Sequence, residues 1–88
     1  MLIEQEIMVG CAEGLHARPA ASVVRAANGY SGSITLYWRD KIIEAKSILG
    51  ILSSGIGCGE VIKIVIDGED ADGMMEKLVE ILTVGASI

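Results

Sequence analysis

Phenylalanine is absent from this chain, and only Tyr30, Tyr37 and Trp38 are aromatic. Yet 51% of the 88 residues are hydrophobic. A packed core is therefore expected, built from Ile, Leu, Val, Met and Ala, and disorder is excluded. Long apolar runs are also missing. The longest are pieces such as ILGIL and IVI, far short of the roughly 18 residues that span a bilayer. No membrane insertion is expected. The opening residues MLIEQEIMV hold two acids and no Lys or Arg, unlike a secretory signal, so the expected location is cytoplasmic.

Basic residues are scarce in one region only. Residues 1–66 hold six basic and six acidic groups, whereas residues 67–88 hold six acids and Lys77 alone. With a net charge of −5 and no basic stripe, nucleic acid is excluded as a partner. The acidic bias favours solubility. Cysteine is limited to Cys11 and Cys58, and histidine to His16. Neither number nor spacing suits a metal site, and reduced thiols are expected. No cofactor is called for.

What is present is a clear alternation of patterns within a chain long enough for one domain, residues 1–88. LIEQEIMV, 2–9, places Ile3, Ile7 and Val9 on one face of a strand. Residues 10–15 form a loop bounded by glycines. Residues 17–28 carry Ala20, Val23, Val24 and Ala27 in the stripe of an amphipathic helix, which Asn28-Gly29 should stop. SITLYW, 33–38, and KIIEA, 41–45, are strands two residues apart and predict a tight hairpin through Arg39-Asp40. SILGILSSG, 47–55, predicts a short helix opened by Ser47 and ended by Gly55. EVIKIVID, 60–67, is apolar on both faces and predicts a well-covered strand. A last helix starts near Asp70 or Asp72, with Met75, Leu78, Val79 and Leu82 as its stripe. The order β-α-β-β-α-β-α predicts an α+β fold, an antiparallel sheet with helices on one face.

The stretch GLHARPAA, residues 14–21, holds the one histidine and the one proline. Proline is tolerated in the first turn of a helix, where an N–H has no intrahelical partner. His16 thus falls at a helix start. A helix start carries partial positive charge and unused N–H donors. It favours a neutral ring with an available lone pair, and it welcomes an anion attached to that ring. Arg18 adds a guanidinium suited to phosphate oxygens, and Arg25 lies two turns further along the same face. These features describe a histidine able to accept a phosphoryl group. They also describe a histidine that merely caps a helix, and position alone does not choose.

G-L-H-A-R-P-A, A-K-S-I-L-G-I-L-S-S-G and G-E-D together closely resemble HPr, the histidine-containing phosphocarrier of the bacterial phosphoenolpyruvate-dependent sugar phosphotransferase system. The likeness extends over about residues 3–82. It implies an open-faced β-sandwich, a four-stranded antiparallel sheet covered on one face by three helices. It implies that His16 is phosphorylated at Nδ1 by enzyme I, that Arg18 stabilises the phosphate, and that the group passes on to A-type permease components. The protein would then be a carrier acted on by enzymes and not itself an enzyme.

By the same resemblance Ser47 is a regulatory serine, the target of an HPr kinase/phosphorylase. Serine is also a favoured helix N-cap, and both roles are compatible. On the helix it opens, Ile48, Ile51 and Leu52 share a face and Leu49 extends it toward solvent. All four would ordinarily be core. In the family this surface docks partners, which points to Leu49 and Leu52, with Ile48 shared and Arg25 nearby. Asn28, Gly50 and Glu13 depart from the more basic pattern of some members, so steering toward enzyme I should be weaker. A regulatory paralogue in carbon or nitrogen control is the alternative within the family. A small-molecule-binding regulatory module is the alternative outside it. A monomer is the default state.

Overall fold

In the computed structural model, which describes residues 1–12 and 14–84, the elements follow the predicted order. They are β1 (Leu2–Met8), α1 (Ala17–Asn28), β2 (Ser33–Trp38), β3 (Lys41–Glu44), α2 (Ile48–Leu52), β4 (Val61–Asp67) and α3 (Ala71–Val84). The strands form one antiparallel sheet in the order β1-β4-β2-β3. The last strand in sequence therefore sits inside the sheet, between β1 and β2. Among the described residues, no helix is long and apolar enough to cross a membrane.

Alternation along the strands decides what is covered. Ile34 and Leu36 of β2 and Ile62, Ile64 and Ile66 of β4 are at most 1% exposed. They pack in one core with Ala20, Val23 and Ala27 of α1 and Leu78, Ile81 and Leu82 of α3. Each such aliphatic side chain contributes about 1.5–3 kcal/mol by leaving water. The opposite sheet face is open. Val61 is 52% and Ile42 72% exposed, and Val65 is half-buried. The apolar residues on both faces of β4 predicted a well-covered strand. Its second face is shielded only in part, because no second layer lies over it.

Two further local expectations hold. α1 stops at Asn28 with Gly29 as its C-cap, in a right-handed conformation with φ −80°. The Arg39-Asp40 hairpin does form, pairing Trp38 with Lys41. It holds Arg39 at φ 56°, a conformation disfavoured for a residue with a Cβ. Two contacts hold the residue there. Its guanidinium bonds Glu60 at 3.3 Å and lies 4.7 Å from the centre of the Trp38 ring.

Candidate functional site

The turn before α1 is built around a glycine. Gly14 has φ +74°, and a Cβ there would lie 2.8 Å from both Gly57 Cα and the Ile56 carbonyl oxygen. Only glycine lets residues 14 and 56–57 approach so closely. The Gly14 N–H donates to the Cys11 carbonyl at 2.9 Å, and the Leu15 N–H donates to the Ile56 carbonyl at 3.0 Å. The Leu15 side chain is buried, 5% exposed. The chain is thus pinned one residue before His16.

His16 emerges exposed from this anchor as the N-cap residue of α1, with extended backbone, φ −89° and ψ −164°. Its carbonyl accepts the first helical hydrogen bond, from Ala20 N–H at 3.0 Å. Its side chain does not make the capping hydrogen bond. Pro19 occupies the third helical position and is buried, a second anchor just beyond the histidine. Because proline has no N–H, the helix start offers the N–H groups of Ala17 and Arg18 without intrahelical acceptors. His16, Ala17 and Arg18 are all exposed. An anion on the imidazole would therefore sit at a positive helix end, within reach of solvent and of another protein.

Arg18 stands in the first turn, beside His16. Arg25 is exposed in the last turn of α1, about 10 Å along the axis. The two arginines share a helix but not an end of it.

Ser47 is the N-cap of α2, and its Oγ accepts a hydrogen bond from Gly50 N–H at 3.0 Å. The hydroxyl caps the helix and is half-buried. The helix that follows has five residues, shorter than the pattern implied. Of its four large apolar side chains Ile51 alone is buried, at 0% exposure. Ile48 is 37%, Leu52 43% and Leu49 75% exposed. With so short a helix only one residue reaches the core, and Ile48, Leu49 and Leu52 remain on the surface.

Cys11 is buried and Cys58 exposed, and they are not bonded to each other. The Cys11 thiol lies 3.3 Å from the Leu82 carbonyl and 3.4 Å from that of Ile81, in the last turn of α3, where carbonyls lack helical partners. Among the described residues, no group of His, Cys, Asp and Glu could hold a metal ion. Glu13, the loop acid expected near the histidine, lies outside the described residues. Reading the sequence did not find Gly14, Leu15 and Ile56 as positioning residues. The only available signal was the glycine-bounded loop, because the partner segment is more than 40 residues away in the chain.

The structure thus sets an exposed histidine at a helix N-cap on a four-stranded antiparallel sheet backed by three helices. Comparison with known proteins identifies the family. Residues 3–83 match the family described as the PTS HPr component phosphorylation site. The chain belongs to the HPr family. The HPr-like protein Crh of Halalkalibacterium halodurans is 37% identical over 78 residues, covering 89% of this chain and 93% of that protein. The crystal structure of phosphocarrier protein HPr from Bacillus anthracis superposes with a TM-score of 0.86 at 37% identity, covering 92% of this chain and 96% of that one. Crh of Bacillus subtilis, crystallised as a swapped dimer, is similar with a TM-score of 0.71 at 32% identity, covering 98% and 97%.

Proposed function

We propose that this protein relays a phosphoryl group through His16, from enzyme I of the phosphotransferase system to A-type permease components in sugar uptake. Proteins of the HPr family are phosphocarriers and not catalysts, and their partners are phosphotransferase-system proteins. The observation that carries the reading here is the exposed His16 at the start of α1, held between the buried Leu15 and Pro19. In the loading step the Nδ1 lone pair attacks phosphorus. The P–N bond forms as the bond to the donor on enzyme I breaks. The transferred group then meets the N–H groups of Ala17 and Arg18 and the Arg18 guanidinium. In the unloading step the P–N bond breaks toward the next acceptor and His16 is regenerated. Leu49, Leu52 and Ile48 supply the apolar docking surface, with Arg25 at its border.

The test is phosphorylation by enzyme I and phosphoenolpyruvate. One acid-labile, base-stable phosphate per chain is expected. His16→Ala should abolish it and shift stability by no more than about 0.5 kcal/mol, as for other exposed positions. A wild-type chain that stays unlabelled with its cognate enzyme I sinks the reading.

A second reading is favoured by the N-cap position of Ser47 and by the likeness to Crh. In it the protein is a regulatory paralogue whose Ser47 is phosphorylated by an HPr kinase/phosphorylase and which controls carbon or nitrogen metabolism by docking other proteins. An acid-stable, ATP-dependent phosphate at Ser47, without transfer from His16 to any A-type component, would select it. Relatives have been solved as dimers. For this chain a monomer is the working state. Light scattering checks it.

A further inference from the structure

Gln5 lies where strand alternation places a core residue. Ile3 and Ile7 flank it on the same face and turn toward the helices, yet Gln5 is exposed. The cause is the way α3 crosses β1. The two meet closely where the Gly10 N–H donates to the Leu82 carbonyl at 2.9 Å. A Cβ at Gly10 would collide with the Thr83 carbonyl. Near the start of both elements they leave a groove of about 650 Å³. Its floor is apolar: Ile3, Met75 and Val79. Its rim carries the carboxylates of Asp72, Glu76 and Glu80, and no basic residue lines it; the Glu4 side chain lies on the other sheet face, paired with Lys63 at 3.6 Å. Asp72, Glu76 and Glu80 fall at i, i+4 and i+8 of α3, so they stand in one row and repel one another. The groove shares no residue with the His16 site.

The groove also borders a free sheet edge. β1 is an outer strand. The N–H and the carbonyl of Val9 both bond toward the β4 side, at 2.8 Å to Glu60 and Gly59, and the Met1 carbonyl accepts from Gly68 at 2.8 Å. In an antiparallel ladder inward and outward residues alternate. The odd-numbered residues of β1 therefore bond to β4, and the backbone groups of Leu2, Glu4 and Glu6 face outward. Unpaired edge groups beside an apolar floor are the requirements for adding a further strand.

We propose that this groove binds an extended, lysine- or arginine-bearing segment of a partner protein. The segment pairs with the outward backbone groups around Glu4. Its groove-facing positions, every second residue, combine apolar side chains seated on Ile3, Met75 and Val79 with cations that meet the carboxylates of Asp72, Glu76 and Glu80. A metal ion is a poor occupant, since among the described residues no acids converge into a metal-holding group. A cationic strand satisfies the row of like charges, the apolar floor and the free edge together.

The probe is a Lys-Thr-Val-Thr-Lys-Thr hexapeptide with blocked ends, whose lysines and valine share one face of a strand, titrated into the full chain and followed by amide NMR shifts at low salt. The same peptide with glutamate in place of both lysines is the control. Saturable shifts confined to residues 3–6 and 72–80 with the lysine peptide alone support the proposal. Shifts centred elsewhere, no saturation, or equal binding of the acidic peptide overturn it. Glu76→Gln with Glu80→Gln changes only exposed side chains and should weaken binding roughly threefold or more; unchanged affinity overturns the charge recognition. Glu4→Pro removes one outward N–H, which an edge strand tolerates. It should weaken binding more than Glu4→Gln does, with the β4 amide spectrum retained. Equal affinity of the two variants overturns the strand pairing.

Discussion

The backbone N–H of Leu15 bonds the carbonyl of Ile56 at 3.0 Å, tying the residue before the histidine to the segment that leaves α2. His16 and the exposed apolar side chains of α2 are therefore parts of one framed surface. Movement in either loop would be transmitted to the other through that bond and through the close approach of Gly14 to Gly57.

Gly14→Ala tests this frame. Gly14 sits at φ +74° with no room for a Cβ. A left-handed residue with a Cβ costs roughly 1–2 kcal/mol, and the clash adds to it. Loss of about 2 kcal/mol or more in urea denaturation is expected. Phosphorylation of the folded variant by enzyme I should slow by roughly ten- to a hundredfold, because reacting groups displaced by about 1 Å lose that much. Wild-type kinetics would show that the loop does not position His16.

The surface of α2 separates packing from docking. Leu49 is 75% exposed, so Leu49→Ala should change stability by less than about 0.5 kcal/mol. Its affinity for enzyme I should nonetheless fall by about tenfold, as for a residue at the centre of an interface. Ile51 is fully buried, and Ile51→Ala should cost about 2–5 kcal/mol by leaving a cavity. Calorimetry of binding and urea titrations of both variants provide the check. Unaltered affinity of Leu49→Ala would remove that residue from the docking surface.

At Ser47, loss of the cap can be told from loss of a modification site. Ser47→Ala removes the acceptor for Gly50 N–H and should cost about 1 kcal/mol. Ser47→Asp keeps an acceptor and adds a negative charge at the helix start, so stability should stay near that of wild type. If both variants are equally destabilised, the cap contributes little and Ser47 has another structural role.

Tyr30 predicts an alkaline limb. Its hydroxyl is buried without a hydrogen-bond partner among the described residues. Burial first, then the charges of Asp70, Asp67 and Glu69, push its pKa above the usual tyrosine value. The folded chain therefore holds its phenolic proton where the unfolded chain releases it. Stability is unaffected below about pH 10, the ordinary tyrosine value, and falls as pH rises past it. Tyr30→Phe should abolish that fall. At neutral pH it should leave stability unchanged or raised, since the hydroxyl has no bond to lose. A destabilised Tyr30→Phe chain would mean that the hydroxyl has a partner in solution.

Much of the fold was legible because its signals are local. The stripe Ala20, Val23, Val24, Ala27 and the position of Pro19 mark α1, and the alternation of SITLYW marks β2 to the residue. The helix α2 was less legible. Four large apolar residues in five suggest a buried helix, but so short an element presents only one of them to the core. The second face of β4 was misread for a similar reason. Val61 and Val65 show that a residue is apolar, not that anything covers it.

By itself, then, the sequence determined the order of the elements, the helix start at His16 and the serine that opens α2. Each is set by side chains within a turn or two, through backbone sterics and caps. Only the tertiary structure decided that β4 lies between β1 and β2, that Gly14 meets Ile56 and Gly57, and that Gln5 opens onto an acidic groove. Those outcomes depend on pairings between distant segments, where complementarity of whole surfaces selects the partner and no local pattern encodes it.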